Sequence, residues 1–205
     1  MNCKSARWCL LVCACLIAFE YASAQETPDP WYGRQVKPAN IDKPRFLTDA
    51  FSIELPKGWQ LVPGHTGTLF SVVEKTRQSE GGALITLEYQ RLNAPLDPEL
   101  MAGASERELK AVQARELSGK GFTSQVRTGP IGPFIVIHYD RPGLSGKDDH
   151  VVQYSVPSGT TLYRLICIAP AVAPTSPEHA RHADKYRPVF AHVAASFAPA
   201  SSGGS

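Results

Sequence analysis

Residues 150–168 read HVVQYSVPSGTTLYRLICI and decide the fold, because they predict two strands joined by a tight turn. Apolar and polar residues alternate over 150–156, which predicts a strand with one buried face and a wetter face that carries Gln153 and Ser155. The run 160–168 is apolar on both faces. That pattern is typical of a strand inside a sheet that is covered on both sides.

The turn between these two runs determines how they pair. Pro157 presets its own φ and Gly159 tolerates a positive φ, so the chain can reverse within a few residues. The two strands are therefore antiparallel. A third run, 134–140, is also apolar on both faces and precedes them.

Further strands are predicted earlier in the chain, at 51–55, 69–73, 83–90 and 122–128. The turn Pro56-Lys57-Gly58 follows the first of them, and Trp59 begins a return strand, so we expect a hairpin. In the run 122–128, the residues expected to point inward are Phe122 and Val126.

Two helices complete the fold. The first is capped by Asp97 and has Pro98 at its first position, and Gly119 and Gly121 end it. Its apolar stripe is Met101, Leu109, Val112 and Leu117, and the side chains expected to face water are Glu106, Arg107, Glu108, Lys110 and Arg115. The second opens near Ser176, must kink or restart at Pro188, and has one apolar face formed by Tyr186, Phe190, Val193 and Phe197. The sequence therefore predicts an α+β fold, an α/β/α sandwich with a central antiparallel sheet flanked by helices.

Residues 1–24 have the layout of a secretory signal peptide. Lys4 and Arg7 precede a short apolar run, and Ala22-Ser23-Ala24 forms a small-residue cleavage site, so we expect cleavage after Ala24. The alternative is a lipoprotein signal with Cys15 as the lipidated residue. Either signal predicts export, and the first predicts a periplasmic or secreted protein.

Composition excludes several classes of function. Of the five cysteines, only Cys167 lies outside residues 1–24, so the exported chain has no internal disulfide. Cys167 stands in an apolar strand, where a core role is expected rather than that of a reactive nucleophile. A net charge of +2 without a basic cluster argues against a nucleic-acid partner. The sequence contains no Gly-x-Ser-x-Gly elbow, phosphate-binding glycine loop or dinucleotide fingerprint.

The domain organisation follows from these patterns. Residues 25–45 are rich in proline and predict an extended, partly disordered lead, in which Trp31 and Tyr32 either pin the lead to the domain or contact a partner. Residues 46–197 are expected to form a single domain, and residues 198–205 a disordered tail of small residues.

Several of these segments resemble a known family. The stretch Phe51-Ser52-Ile53-Glu54-Leu55-Pro56-Lys57-Gly58-Trp59 is similar to the opening hairpin of the PsbP/Mog1/DcrB-like superfamily. The later hairpin, with Tyr154 and Tyr163 around its Pro-Gly turn, and the closing helix ending in Ser196-Phe197 also resemble it. The resemblance implies an α/β/α sandwich and a non-catalytic accessory or adaptor protein that needs no cofactor.

One group of residues predicts a different chemistry. His138 and Asp140 lie on one strand, while Asp148 and His150 begin the next, so pairing of these strands would bring two histidines and two carboxylates to one end of the sheet. Such a group can bind a divalent metal or exchange protons. The connection between the strands is glycine-rich and polar, as expected for a solvent-exposed loop.

The sequence thus leaves three functions open. The first is an exported, non-catalytic accessory protein that contacts another envelope protein through the lead and the loop 141–149. The second is a metal-dependent hydrolase or metal-binding protein that uses His138, Asp140, Asp148 and His150. The third is a carrier of a small apolar ligand held between sheet and helix.

Overall fold

The computed structural model describes residues 45–47, 51–62, 68–74, 82–130, 132–143, 146–170 and 177–199. They lie within one compact unit that spans Gly33–Ser205. The strands are β1 (Arg45–Leu47), β2 (Phe51–Glu54), β3 (Trp59–Val62), β4 (Thr68–Glu74), β5 (Leu84–Arg91), β6 (Lys120–Gly129), β7 (Gly132–Pro142), β8 (Asp148–Ser158), β9 (Thr161–Ala169) and β10 (Ala198–Pro199). The helices are α1 (Met101–Arg115), which follows a 3-10 turn at Pro98–Leu100, and α2 (Pro177–Ser196).

The described strands form two antiparallel sheets. The main sheet has the order β3-β4-β5-β9-β8-β7-β6, and the small sheet has the order β1-β2-β10. Helix α1 lies over β6 and β7, and α2 lies over β8, β9 and β2. In β8, Val151 packs with α1, while Tyr154 lines the contact with α2. Because these residues are an odd number of positions apart, they point to opposite faces, and the helices cover opposite sides of the main sheet.

The central strands confirm the predicted hairpin. β8 and β9 pair antiparallel from His150–Ala169 to Ser158–Thr161, and Gly159 in the connecting turn has a φ of 54°. The apolar run 134–140 lies within β7, which pairs with β8 on the other side. The predicted α+β class and the α/β/α sandwich are therefore confirmed.

The face covered by α2 is an apolar core. The four aromatic and aliphatic residues predicted to share one face of this helix are all buried: Tyr186, Phe190, Val193 and Phe197. The Phe197 ring lies 5.2 Å from that of Tyr163 and 5.8 Å from that of Phe51. Cys167 is also buried on this face, and burial raises the pKa of its thiol.

This apolar core leaves little space for a ligand. The cleft between the main sheet and α2 has no space that a water molecule could enter. It is lined by Tyr154, Tyr163 and Phe197 among others. Close packing of this kind is normal for a protein interior. The described sheet–α2 contact therefore gives no support to the predicted carrier of an apolar ligand.

Four predictions about exposure are wrong. Gln153 and Ser155, expected on a wetter face of β8, are fully buried, because they lie under α1 and bond to its side chains. Glu108, expected to face water, is buried because it bonds to Gln153, Ser155 and Arg164 of the main sheet. Leu117, assigned to the apolar stripe, is 88 % exposed, because α1 ends at Arg115 and not at the glycines that follow. Val126, expected to point inward, is 41 % exposed on β6 at the edge of the main sheet.

The predicted hairpin between 51–55 and Trp59 is also wrong. β2 pairs with β1 and β10, whereas β3 pairs with β4. The turn is present: Gly58 has a φ of 83° and the Trp59 amide donates to the Pro56 carbonyl. It passes the chain from the small sheet to the main sheet instead of folding it back.

The ends of the predicted domain also differ from expectation. β1 begins at Arg45, the last residue of the predicted lead, and β10 takes up Ala198–Pro199, the first two residues of the predicted tail. α2 continues through Pro188 as one helix and does not restart there. In the described part of the chain, no helix has the length and apolar character needed to span a membrane.

Candidate functional site

The strand register brings three of the four candidate metal ligands close together. Asp140 lies opposite His150 in the β7–β8 pair, and their Oδ1 and Nδ1 atoms are 2.8 Å apart. The His138 and His150 rings are stacked with their centroids 5.9 Å apart. Burial lowers the pKa of His138, and the neighbouring His150 and Arg127 lower it further. The group is therefore suited to hold His138 neutral beside a hydrogen-bonded His–Asp pair.

Asp148 does not complete a metal site in this arrangement. Its carboxylate forms an ion pair with Lys120 on β6. Across the described residues, no set of three or more His, Cys, Asp or Glu side chains is placed to hold a metal ion. Trp31 and Tyr32, which the sequence predicts as candidates for contact with a partner protein, lie outside the described residues.

A buried polar network that the sequence analysis missed lies on the opposite face of the main sheet. The Glu108 carboxylate on α1 accepts two hydrogen bonds from Arg164 of β9, of which the Nη2–Oε2 bond is 2.9 Å long. Gln153 and Ser155 of β8 donate to the same carboxylate at 2.8 and 3.1 Å. Burial alone raises the pKa of Glu108, but the bonds and charge of Arg164, together with Ser155 and Arg115, outweigh it and hold the pKa below the usual 4.5. Glu108 is therefore a buried, ionised carboxylate.

The network reaches the surface through Arg115. This residue ends α1, and its Nη2 donates to the Gln153 Oε1 at 3.1 Å. Its Nε also donates to Glu116 Oε1 at 3.3 Å. Because Gln153 is fully buried and fixed by Glu108, it orients the half-exposed guanidinium of Arg115.

An open groove begins at this guanidinium. Its volume is about 510 Å³, and it is lined by residues 115–119, 141–143 and Asp149. We call it the loop groove, because it lies between the turn that follows α1 and the β7–β8 loop. Leu117 projects from its edge and is 88 % exposed. The loop side of the groove belongs to the segment 141–149 that the sequence predicts as a contact surface.

The loop side of the groove is tightly built. The Gly143 amide donates to the Lys147 carbonyl at 2.5 Å, and Gly146 has a φ of 74°. A side chain at Gly143 would place its Cβ 2.5 Å from the Asp149 Oδ1 atom, which no normal contact allows. Glycine is therefore required at position 143 for Asp149 to fold against the loop.

The charges of the groove centre on Glu116. Its Oε1 atom lies 3.3 Å from Arg115 and 3.6 Å from Arg141, so two guanidinium groups share one carboxylate oxygen. The buried Tyr139 hydroxyl lies beside the Arg115 guanidinium but does not line the groove. Burial raises the pKa of Tyr139. The site thus combines two cations and one shared acceptor.

Comparison with known proteins bears on the fold and not on the groove. No protein-family model matches the chain, and no curated protein sequence does. The solution structure of cyanobacterial PsbP (CyanoP) from Synechocystis sp. PCC 6803 is similar, with a TM-score of 0.53 and 13% sequence identity, over 76% of this chain and 91% of that one.

Two further solved structures have lower similarity scores. LpqN, described as involved in cell envelope biogenesis of Mycobacterium tuberculosis, gives a TM-score of 0.44 at 14% identity, over 73% of this chain and 82% of its own. A crystal structure from Bacteroides thetaiotaomicron VPI-5482 gives 0.43 at 11% identity, over 75% of this chain and 46% of that chain. The similarity to CyanoP and the observed sheet order agree with the resemblance seen in the sequence. The chain therefore has a PsbP-like fold.

Proposed function

We propose that this protein is an exported, non-catalytic accessory protein of the cell envelope that binds another protein through the loop groove. One observation carries the proposal: an open groove of about 510 Å³ has Leu117 at its edge with 88 % of its surface exposed. A large apolar side chain at that exposure gains free energy when a partner covers it. The signal-like segment 1–24 supports export.

The chemistry of the groove supports binding rather than bond cleavage. Its ionisable groups are arginines and carboxylates, and Arg115, Arg141 and Glu116 contact one another. Arginine is enriched at protein–protein contacts, because its planar guanidinium makes several directed hydrogen bonds. An apolar side chain surrounded by such polar groups is the usual composition of a small contact surface.

The lead, residues 25–45, is proposed as a second contact segment. Its Trp31 and Tyr32 are the residue types that most often anchor protein contacts. Deleting residues 25–44 is then expected to weaken capture of the partner while the domain stays folded.

Site-specific photo-crosslinking in the native cell tests the proposed surface. A photoreactive residue at Leu117 is expected to form one discrete adduct with another envelope protein. The matched control is the same residue at Leu100, which is also apolar and 60 % exposed but lies at the other end of α1. Leu117→Asp is expected to reduce partner capture strongly and Leu100→Asp to leave it unchanged. Equal adducts from both positions, or none from Leu117, would contradict the proposal.

A further inference from the structure

We propose that Arg115 and Arg141 of the loop groove bind a carboxylate of the partner protein, which takes the place that Glu116 holds in the free protein. This inference rests on the proposed function and names the chemistry of the partner. It follows from how the two guanidinium groups, Glu116 and the groove are arranged.

Glu116 leaves much of the donor capacity of Arg141 unused. A guanidinium has five N–H donors and favours two parallel bonds to both oxygens of a carboxylate. Arg141 instead has a single 3.6 Å ion contact with one Glu116 oxygen, and its guanidinium forms no hydrogen bond within the described chain. Its side chain is 31% exposed and lines the groove, so its donors are open to a ligand.

Arg115 supplies the rigid half of the site. Its Nη2 is bonded to the buried Gln153, which is itself held by the ionised Glu108. Fixing one guanidinium before the ligand arrives lowers the entropy cost of binding.

The local charge balance favours a single negative charge. Two guanidinium groups face one Glu116 carboxylate, which leaves one positive charge in excess at this cluster. Asp149 also lines the groove, but it has interactions of its own and folds against the loop at Gly143. A carboxylate neutralises this excess, whereas a doubly charged phosphate would leave a net negative charge beside Glu116.

The groove also indicates what accompanies the carboxylate. Leu117 lies next to Glu116 and has almost its whole side chain in water. A ligand with an apolar side chain adjacent to its carboxylate would cover Leu117 and engage both arginines together. The partner segment therefore contains an aspartate or glutamate beside an apolar residue.

Peptide titration followed by NMR of the full mature protein tests this inference. The probes are acetyl-Leu-Glu-Leu-amide, its Gln counterpart and inorganic phosphate. We expect the Glu peptide to bind with a dissociation constant on the order of millimolar and to shift the amides of residues 115–119 and 141–143. The Gln peptide is expected to bind roughly tenfold more weakly, because it lacks the charge-assisted bonds.

Two variants separate the role of each side chain. Arg141→Gln is expected to weaken the Glu peptide about tenfold, while Glu116→Gln is expected to tighten it about threefold, since it removes the internal competitor. The control is Arg127→Gln, an exposed arginine of β6 that is bonded only to Gln125 in the described chain. It is expected to leave binding unchanged, and thermal unfolding of each variant checks that the fold is retained.

The possible outcomes distinguish this inference from the proposed function. Equal binding of the Glu and Gln peptides, no tightening by Glu116→Gln, or phosphate binding as strong as that of the Glu peptide would each overturn the carboxylate site. If the Leu117 crosslink persists in Arg141→Gln, the groove still binds a partner and only the inference fails. If the protein with the photoreactive residue at Leu117 and an intact Arg141 forms no adduct, the proposed function fails, whatever the result of the peptide titrations.

Discussion

The two faces of the main sheet are stabilised in different ways. On the face covered by α2, aromatic and aliphatic side chains such as Phe190 and Tyr163 exclude water. On the face covered by α1, an apolar cluster around Ile137 adjoins a buried network built on Glu108 and Arg164. Apolar packing tolerates small shifts in direction, whereas hydrogen bonds fix distances and angles. On the polar face covered by α1, burying the polar groups therefore costs free energy, but their hydrogen bonds hold Arg115 at the loop groove in one orientation.

The largest expected effect comes from removing an aromatic side chain on the α2 face. Phe190 is almost fully buried against the main sheet, so Phe190→Ala removes its burial and leaves a cavity. We expect a loss of about 3–5 kcal/mol in the free energy of unfolding, measured by urea denaturation. The peptide shifts at residues 115–119 are expected to persist wherever the variant is folded, because the network lies on the other face. Loss of those shifts in a folded variant would mean that the two faces are coupled.

A somewhat smaller effect is expected from the polar face. Glu108→Gln keeps the size of the side chain but leaves the Arg164 charge without its carboxylate. We expect a loss of about 1.5–3 kcal/mol, the usual range for hydrogen bonds to charged groups. Peptide binding should weaken as well, because Gln153 no longer orients Arg115. The control is Glu106→Gln, which breaks an exposed pair with Lys110 on the same helix.

Glu106→Gln is the matched control because the ion pair that it breaks is exposed. Exposed ion pairs contribute about 0–1 kcal/mol, so Glu106→Gln is expected to change neither stability nor peptide binding noticeably. If Glu108→Gln and Glu106→Gln are equally stable, the buried network does not stabilise the fold. If peptide binding is unchanged in Glu108→Gln, the network does not position Arg115.

The smallest expected effect is on the pH dependence of the free energy of unfolding, which differs between the two faces of the main sheet. Burial lowers the pKa of His138, on the α2 face, below its usual 6.5, so the unfolded chain takes up the proton first. Its contribution to stability is complete above about pH 6.5 and is lost as the pH falls below that value. The lowered pKa of Glu108, on the α1 face, gives a contribution that is present above about pH 4.5 and is lost as the pH falls through the lower, folded-state value.

Two variants assign these pH windows. His138→Gln is expected to flatten the stability profile just below pH 6.5, and Glu108→Gln to flatten it below pH 4.5. Urea unfolding at intervals between pH 8 and about pH 3 measures both slopes. An unchanged slope below pH 6.5 in His138→Gln would assign that window to another group.

The sequence predicted the elements whose pattern is local. The apolar runs of β7 and β9, the turn at Gly159 and the apolar face of α2 are each visible within about twenty residues, and the structure confirms them. The His150–Asp140 contact also followed from two adjacent strands. Such features depend on alternation, helical spacing and turn chemistry, which the chain carries in short segments.

The features that were missed depend on contacts between distant segments. Glu108 and Arg164 are far apart in the sequence, and a charged helix residue is normally a solvated one. One signal was present: Gln153, Ser155 and Arg164 are polar residues in strands expected at the centre of a sheet. The loop groove likewise forms between two turns that only the folded β7–β8–α1 arrangement brings together.

The small sheet joins the two ends of the domain and has a consequence for folding kinetics. β2 receives its partner β10 from residues 198–199, and Ser196 accepts a hydrogen bond from the Glu54 amide at 2.9 Å. Contacts of such long sequence separation slow folding, because a long loop must close before they form. β2 cannot obtain these partners until residues 196–199 have left the ribosome. A chain that is still being synthesised therefore cannot complete its small sheet.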